Sequence, residues 1–145
     1  MKIIIEDCDQ FAEDEIIIRC KKLDDSLLKL IYGLKMQNDK IPVSNQGSIA
    51  MIEPKEVYYF EAVDNKVFVY GSNETYETKK KLYELEKIYE EANFLRVSKS
   101  IIVNLTKIKS LSPAYNGRFE AYLKNGEKII ISRQYVMDLK KKLGL

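Results

Sequence analysis

The sequence predicts a mainly β fold with short helices, preceded by a small β-β-α extension at the N-terminus. Short runs rich in Ile, Val, Tyr and Phe recur along the chain, and turn residues such as Gln46-Gly47, Asp64-Asn65 and Asn125-Gly126 separate them. This pattern is typical of antiparallel strands, whereas helical spacing of apolar residues is confined to three short stretches. We therefore divide the chain into an extension at residues 1–38 and a domain at residues 39–145.

The extension contains two short strand-like runs followed by one amphipathic helix. The runs lie at residues 2–6 and 15–20, and each has three consecutive isoleucines flanked by charge. The Asp-Asp-Ser sequence at residues 24–26 offers an N-cap, and Gly33 and the polar cluster at 37–39 mark the end of the helix. A unit this short does not fold securely alone, so we expect it to pack on the domain.

The domain begins with strands and continues into a second helix. Turn residues separate the strand-like runs, and residues 57–70 have the pattern of a hairpin. The second helix carries Leu82, Leu85 and Tyr89 on one stripe, with Lys and Glu residues on the other faces. The predicted elements are strands at 41–44, 48–52, 57–63 and 67–70 and a helix at 79–91.

The C-terminal part of the domain predicts a hairpin followed by a helix. Asn125-Gly126 lies between two strand-like runs, which is a strong hairpin signal. A two-residue loop there places Lys124 opposite Glu127 and Arg118 opposite Arg133, and like charges so opposed favour an anionic partner beside them. The predicted elements are strands at 118–124 and 127–132 and a helix from about 135 to 143.

The composition excludes several classes of function. The chain has no histidine, so histidine-based acid/base catalysis, catalytic triads and most zinc sites are excluded. Its six glycines are scattered through turns and form no phosphate cradle. The acidic residues near 6–9 and 13–15 are typical of a solvated strand edge. We expect a protein that is not an enzyme and has no cofactor, no metal and no small-molecule substrate.

The cysteines and the apolar runs indicate the compartment. Cys8 and Cys20 are expected to be reduced core or half-core thiols, because a chain with a packed core does not need a disulfide. The apolar run at residues 3–5 is too short for a signal segment, and no later run is long enough to span a bilayer. We therefore expect a soluble, cytoplasmic protein.

The charge of the chain is concentrated in its last third. Residues 1–53 and 54–91 each have a net charge of −3, whereas residues 92–145 have a net charge of +8. A basic module in an otherwise mildly acidic protein is the pattern expected for a polyanion partner. A solvated basic face without a partner is the simpler alternative, since charge alone is a weak signal.

The segment 94–111 places a cation where a strand would bury it. In an alternating strand, Lys99 shares a face with Val97, Ile101 and Val103. A lone lysine is rarely buried without a partner, so we expect the chain to leave strand geometry at residues 98–100. The segment therefore predicts a loop that presents Lys99.

Basic and polar residues at predicted strand ends and loops can meet on one surface. Lys or Arg side chains that reach base edges in the major groove donate to guanine, and each good contact contributes about 1–3 kcal/mol of discrimination. Other lysines, including Lys140, are expected to contact phosphates. The candidate DNA-binding residues are Asn65, Lys66, Arg96, Ser98, Lys99, Lys107, Lys109, Arg118 and Arg133.

The segment beginning at Phe94 resembles the LytTR family of DNA-binding domains. Phe94, Arg96, a polar-basic loop at residues 98–100 and the pair Val103-Asn104 recur in that family in this order. Upstream and downstream segments extend the resemblance over residues 39–145. They are VYYFEAVDNKVFVY at 57–70, which is similar to the family's first hairpin, and residues 116–144, which match its closing hairpin and final helix.

The resemblance implies an elongated β domain that recognises double-stranded promoter DNA with loops instead of a recognition helix. The family's contacts fall here near Asn65 and Lys66, on Ser98 and Lys99, and on Arg133. It also implies a response-regulator-like transcription regulator that binds repeated sites as a homodimer. Histidine is frequent in the family at the position of Ser98, and arginine or asparagine at the position of Lys99.

Control of this regulator is left open by the sequence. The resemblance is to stand-alone regulators without a receiver domain, so it implies no phosphoacceptor residue. Some of these regulators are partners of small membrane proteins. A regulatory membrane-protein partner, autoregulation and simple concentration are all consistent with the sequence.

Two other function classes are also open. The basic third of the chain could instead dock an acidic protein, in a non-DNA protein-interaction module. Exposed tyrosines beside basic residues would favour single-stranded RNA, but these tyrosines lie among apolar residues. A linear dependence of log affinity on log salt, and a preference for duplex DNA, distinguish the DNA-binding hypothesis from both.

Overall fold

The computed structural model describes residues 1–7, 9–10 and 14–145. In this part of the chain, ten strands and three α-helices form two antiparallel sheets, which confirms the mainly β fold class. The helices are α1 Asp25–Asn38, α2 Leu82–Ile88 and α3 Arg133–Leu143. The strands are β1 Ile41–Asn45, β2 Ser48–Ile52, β3 Tyr59–Val63, β4 Lys66–Tyr70, β5 Thr75–Thr78, β6 Phe94–Arg96, β7 Ile101–Asn104, β8 Ile108–Pro113, β9 Phe119–Leu123 and β10 Lys128–Ile131.

The larger sheet has seven strands in the order β2-β1-β5-β4-β3-β7-β6, and the smaller sheet has the order β10-β9-β8. β5 joins the first hairpin to the rest of the larger sheet, since Ser44 of β1 pairs with Glu77 of β5 and all four residues of β5 pair with β4. The sequence analysis did not predict β5, because Thr-Tyr-Glu-Thr has no clear apolar alternation.

Both faces of the larger sheet pack against apolar residues. On β7, Ile102 belongs to a cluster that includes Phe60 and Leu85 of α2, whereas Val103 belongs to a cluster that includes Leu139 of α3. Successive strand residues point to opposite faces, so β7 divides the two cores. Burying one such side chain contributes roughly 1.5–3 kcal/mol. The second core fixes the smaller sheet and α3 against the larger sheet.

The hairpin of β9 and β10 differs from the prediction by one residue of register. The backbone N–H of Leu123 donates to the carbonyl of Glu127 at 2.8 Å, so three residues form the loop instead of two. Gly126 has a φ of 89°, which is typical of a three-residue loop with a glycine after the turn. This register pairs Ile129 with Ala121, and both are buried. A slip of one residue would turn the buried side of one strand outward.

In the observed register, Arg133 does not occupy the strand position that was predicted for it. Strand β10 ends at Ile131, and Arg133 is the first residue of α3 instead of a strand partner of Arg118. The predicted like-charge pair across the hairpin is therefore wrong. Both arginines nevertheless line one concavity of the surface.

The helix of the N-terminal extension is confirmed, but its two strands are not formed. Residues 2–6 and 15–20 are exposed and have no strand assignment. Strands require partners for their backbone groups, and none of the described residues among 1–23 has a backbone hydrogen bond to another described residue. Two short runs without a third strand or a covered face do not supply those partners.

Helix α1 continues through Gly33, one of the two predicted end markers, and ends at Asn38, within the polar cluster at 37–39 that was the other. Asp24 caps the helix as expected, since its carboxylate accepts from the N–H of Leu27 at 2.9 Å. A Cβ atom at Gly33 would lie 2.8 Å from the carbonyl oxygen of Glu91, so any larger residue forces the two segments apart. Gly33 therefore allows α1 to pack closely against the segment after α2, at Glu91.

The structure describes one of the two cysteines and the three α-helices named above. Cys20 is a free thiol and is exposed, not in a core, and the isoleucines of the segment before it are exposed as well. Cys8 lies outside the described residues. None of the helices in the described ranges is both long enough and apolar enough to cross a membrane.

Candidate nucleic-acid interface

The Ser-Lys-Ser segment forms the predicted loop between two strands. β6 ends at Arg96 and β7 begins at Ile101, and the intervening turn exposes Lys99 while Val97 is buried. Ser98 Oγ accepts from the backbone N–H of Ser100 at 3.2 Å, which tightens the turn. The loop therefore keeps the apolar residues in the core and directs the lysine outward.

Arg96 braces this loop from below. Its Nε donates to the carbonyl of Ser98 at 2.9 Å, and its Nη2 donates to the carbonyl of Lys99. Its Nη1 donates to Glu86 of α2 at 2.8 Å, with only 19% of the arginine side chain exposed. Charge-assisted bonds from a planar guanidinium are strong and directional. Arg96 thus joins the loop backbone to helix α2.

The start of α3 lies beside the same loop. The backbone N–H of Ser132 donates to the carbonyl of Val97 at 2.8 Å. This bond brings Arg133 next to Lys99, and the turn before β9 brings Arg118 to the same place. The three cations line one concavity of 570 Å³, whose lining contains no acidic residue. Its lining residues are Ser98, Lys99, Ser100, Asn116, Arg118, Ser132, Arg133 and Gln134.

Gly117 makes room for Arg133. A Cβ atom at Gly117 would lie 3.0 Å from Cδ and 3.1 Å from Cγ of Arg133. Gly117 also has a φ of 74°, and Asn116 has a φ of 59°, conformations that glycine and asparagine tolerate best. The turn therefore supports the aliphatic part of Arg133, which leaves its guanidinium at the concavity.

The tip of the β3–β4 hairpin lies at the same end of the larger sheet. The N–H of Ala62 donates to the carbonyl of Ser100 at 2.8 Å, so the chain beyond Ala62 continues past the loop. Asp64 and Asn65 both have positive φ, at 50° and 63°, as a tight hairpin turn requires. Lys66 lies 3.9 Å from Glu77 and is largely exposed. Asn65 and Lys66 do not line the concavity.

Lys107 and Lys109 are not brought to the concavity. Ile108 of β8 pairs with Leu123, whereas Pro113 pairs with Phe119, next to Arg118. The two lysines therefore lie at the far end of the smaller sheet from Arg118. The ammonium of Lys107 lies 5.0 Å from the centre of the Tyr58 ring, and that of Lys140 lies 5.4 Å from the Phe119 ring. Both are cation–π contacts.

Lys142 anchors the far end of α3 to the domain. Its Nζ donates to the carbonyl of Phe94 at 2.9 Å and to that of Glu90 at 3.1 Å. Burial lowers the pKa of this ammonium, while the nearby carboxylates of Glu91 and Glu90 oppose the change. With its first turn bonded through Ser132 and its last turn through Lys142, α3 holds Arg133 at a fixed position.

Several residues of the interface were not found from the sequence. The Asn116-Gly117 dipeptide is a turn signal that could have indicated the support for Arg133. Glu86 and Gln134 carry no such signal, because an exposed Glu or Gln on a helix is ordinary. Ser132 contributes through its backbone, which side-chain patterns do not predict.

Comparison with known proteins gives the chain a family. The model of the LytTr DNA-binding domain matches residues 47–144. The sensory transduction protein LytT of Bacillus anthracis is 36% identical over 106 residues, which are 73% of this chain and 43% of that protein. An uncharacterized HTH-type transcriptional regulator of Staphylococcus aureus is 30% identical over 137 residues, and the match covers 92% of both chains.

A solved structure has the same fold. The LytTr DNA-binding domain of a protein from Bacillus cereus aligns with a TM-score of 0.69 and 27% sequence identity. The alignment covers 74% of this chain and 99% of that domain. The chain spans about half the length of the LytT proteins that it matches.

Proposed function

The chain belongs to the LytTR family of DNA-binding domains, and from that premise we propose that it regulates transcription by binding double-stranded promoter DNA sequence-specifically. In this proposal residues 39–145 bind the DNA, with loops that enter the major groove. The protein acts in the cytoplasm, is not an enzyme and binds repeated sites as a pair of chains.

The observation that carries the proposal is the concavity that holds Lys99, Arg118 and Arg133 together. Three cations without an acid in the lining repel one another unless an anion lies among them. The same lining offers hydroxyl and amide groups, which can donate to phosphates and base edges. The amides of Asn116 and Gln134 can both donate and accept, which suits base edges, whereas the carboxylates of an acidic protein surface only accept.

Loops and the first residue of α3, not a helix laid along the groove, are the contact elements in this proposal. In the described ranges each of the three helices is separated from the next by strands, so no two consecutive helices form a helix-turn-helix. Lys99 and Arg133 contact bases, and Arg118 contacts the backbone beside them. Asn65 and Lys66 contact the DNA from the hairpin tip at the same end of the sheet.

The remaining candidates have supporting roles. Arg96 acts through the loop that it braces, and Ser98 shapes that loop while facing the concavity. Lys107, Lys109 and Lys140 contact phosphates further along the duplex or attract it over a distance. A regulatory membrane-protein partner is proposed only from the resemblance, and co-purification from membranes tests it.

The direct test is fluorescence anisotropy with a duplex from the gene's own upstream region and a scrambled duplex, over a range of salt concentrations. We expect sequence-dependent binding with a steep salt slope. Arg118→Glu should weaken specific binding by roughly a hundredfold, because it places an anion among the cations. Lys124→Glu makes the same charge change on an exposed loop outside the concavity and should have a much smaller effect.

Equal effects of the two variants would move the interface away from the concavity. Loss of the salt dependence, or binding to an acidic protein in preference to duplex DNA, would support the protein-interaction alternative. Preference for single-stranded RNA would support the RNA alternative.

A further inference from the structure

The N-terminal extension leaves six isoleucines uncovered. Their exposed fractions range from 36% to 88%, and the described residues around them have no backbone hydrogen bond to another described residue. Exposed strand-like segments with free backbone groups are templates for pairing with another chain. The six residues are Ile3, Ile4, Ile5, Ile16, Ile17 and Ile18.

The charges at the ends of the two segments oppose a hairpin between them. Residues 2–6 read Lys-Ile-Ile-Ile-Glu and residues 15–19 read Glu-Ile-Ile-Ile-Arg. A hairpin that puts the two central isoleucines opposite each other places Lys2 opposite Arg19 and Glu6 opposite Glu15. Like charges so opposed destabilise a sheet. The segments do line one groove side by side, yet they form no strand pair.

The same charges favour pairing with a second copy. When residues 15–19 of two chains pair antiparallel about Ile17, Glu15 of each copy lies opposite Arg19 of the other. Asp14 extends the acidic end of this segment, and Lys21 and Lys22 extend its basic end, whereas the neighbour of Lys2 at the basic end of residues 2–6 is Met1, whose side chain is uncharged. A twofold axis requires a surface that complements itself, and this segment meets that requirement.

We propose that residues 15–19 form an intermolecular antiparallel strand pair that joins two copies of this chain in the absence of DNA. This strand pair is the contact surface through which the two chains of the proposed function associate. Its formation does not require DNA binding. Cross-strand isoleucine contacts and opposite-charge contacts supply the free energy of association. The extension then mediates self-association, and the concavity of the domain stays accessible to DNA.

The test is sedimentation velocity of the full chain without DNA, over a range of concentrations. We expect a concentration-dependent dimer for the wild type. Arg19→Glu alone and Glu15→Arg alone should each raise the dimer dissociation constant by roughly tenfold or more, because each creates two like-charge contacts. The double variant Glu15→Arg with Arg19→Glu restores both contacts and should dimerise as the wild type does.

Mixing the two single variants gives a second, independent readout. Their charges are complementary, so an equimolar mixture should form a heterodimer although each variant alone is weak. Lys79→Glu, an equal charge change at an exposed residue outside the segment, should leave the dimer unchanged. Circular dichroism verifies that every variant is folded.

Three results overturn the proposal: a wild-type monomer at every concentration, single variants that dimerise normally, or a double variant as weak as the singles. The last result would assign the contact to parallel pairing between residues 15–19 and residues 2–6. Binding of Arg19→Glu to DNA with one half-site should equal that of the wild type, which separates a failure of self-association from a failure of DNA binding.

Discussion

The Ser98–Ser100 loop and the Asp64–Lys66 hairpin tip lie at the same end of the seven-stranded sheet, but they are held in opposite ways. Arg96 bonds the loop to Glu86, and its guanidinium also holds two backbone carbonyls of the loop. The hairpin tip has its turn conformation, the strand pairing of Val63 with Lys66 and an exposed ion pair at 3.9 Å, but among the described residues it has no brace like that of Arg96. Exposed ion pairs contribute little.

The difference indicates a division of work between the two elements. Base contacts require donors at fixed positions, because a hydrogen bond to a base edge tolerates small errors only. Phosphate contacts tolerate more, since charge attraction depends weakly on direction. We therefore expect the braced loop to determine sequence preference and the hairpin tip to add affinity for any duplex.

Among the substitutions that test this comparison, the largest effect is expected from removing the brace. Arg96→Ala should lower affinity for the specific duplex roughly ten- to a hundredfold, because Lys99 then loses its fixed position. The variant should also lose about 1–3 kcal/mol of unfolding free energy, since two loop carbonyls and a carboxylate lose a charged donor. Anisotropy and urea unfolding measure the two effects.

Arg96→Lys distinguishes a brace from a phosphate contact. Lysine keeps the charge but cannot bond both loop carbonyls and Glu86 at once. A brace predicts that the lysine variant is nearly as weak as the alanine variant on specific DNA. Near-normal binding by Arg96→Lys would show instead that the charge alone matters.

The second effect concerns the base contacts themselves. Lys99→Ala and Arg133→Ala should each cost about 1–3 kcal/mol of discrimination between specific and scrambled duplexes while the fold is kept. Lys124→Ala, on the hairpin loop between β9 and β10, is the matched control. If Arg133→Ala binds the specific site as tightly as the wild type does, Arg133 makes no base contact.

A smaller effect is expected from Gly117→Ala. The substitution destabilises a turn at positive φ by about 1 kcal/mol, and its methyl group pushes on the side chain of Arg133 at 3.0 Å. Specific binding should weaken severalfold, with less change on scrambled DNA. Combining the substitution with Arg133→Ala tests the cause, because the two losses should then not add.

The smallest effect is expected at the hairpin tip. Lys66→Ala should weaken binding to specific and scrambled duplexes equally and reduce the salt slope by about one unit. Its ion pair with Glu77 is exposed, so the melting temperature should hardly change. A loss confined to the specific duplex would give the hairpin a role in base recognition.

Sequence patterns identified the loop at residues 98–100 and its exposed lysine, but not the hydrogen bonds of Arg96 that fix the loop. Lys99 was found because a lysine among alternating apolar residues conflicts with burial, and the structure has a loop there. The contacts of Arg96 run to backbone carbonyls and to a glutamate ten positions away, and no local pattern encodes them.

The register of the last hairpin shows a different limit. Asn125-Gly126 predicted the turn, but the choice between two and three loop residues depends on which strand faces must be buried together. The N-terminal strands failed for a related reason. Their isoleucines satisfied the local pattern, but in the described part of the chain no strand pairs with them to bond their backbone groups.

The brace under the loop has one more consequence. Within the loop, Arg96 bonds only the main-chain oxygens of residues 98 and 99, and Ser98 Oγ accepts from the N–H of Ser100, whereas the side chain of Lys99 takes no part in these bonds. A substitution at position 99 therefore changes the group offered to the operator without refolding its support. Relatives can then diverge in target choice through one codon, and a designer can exchange the same position to redirect the protein.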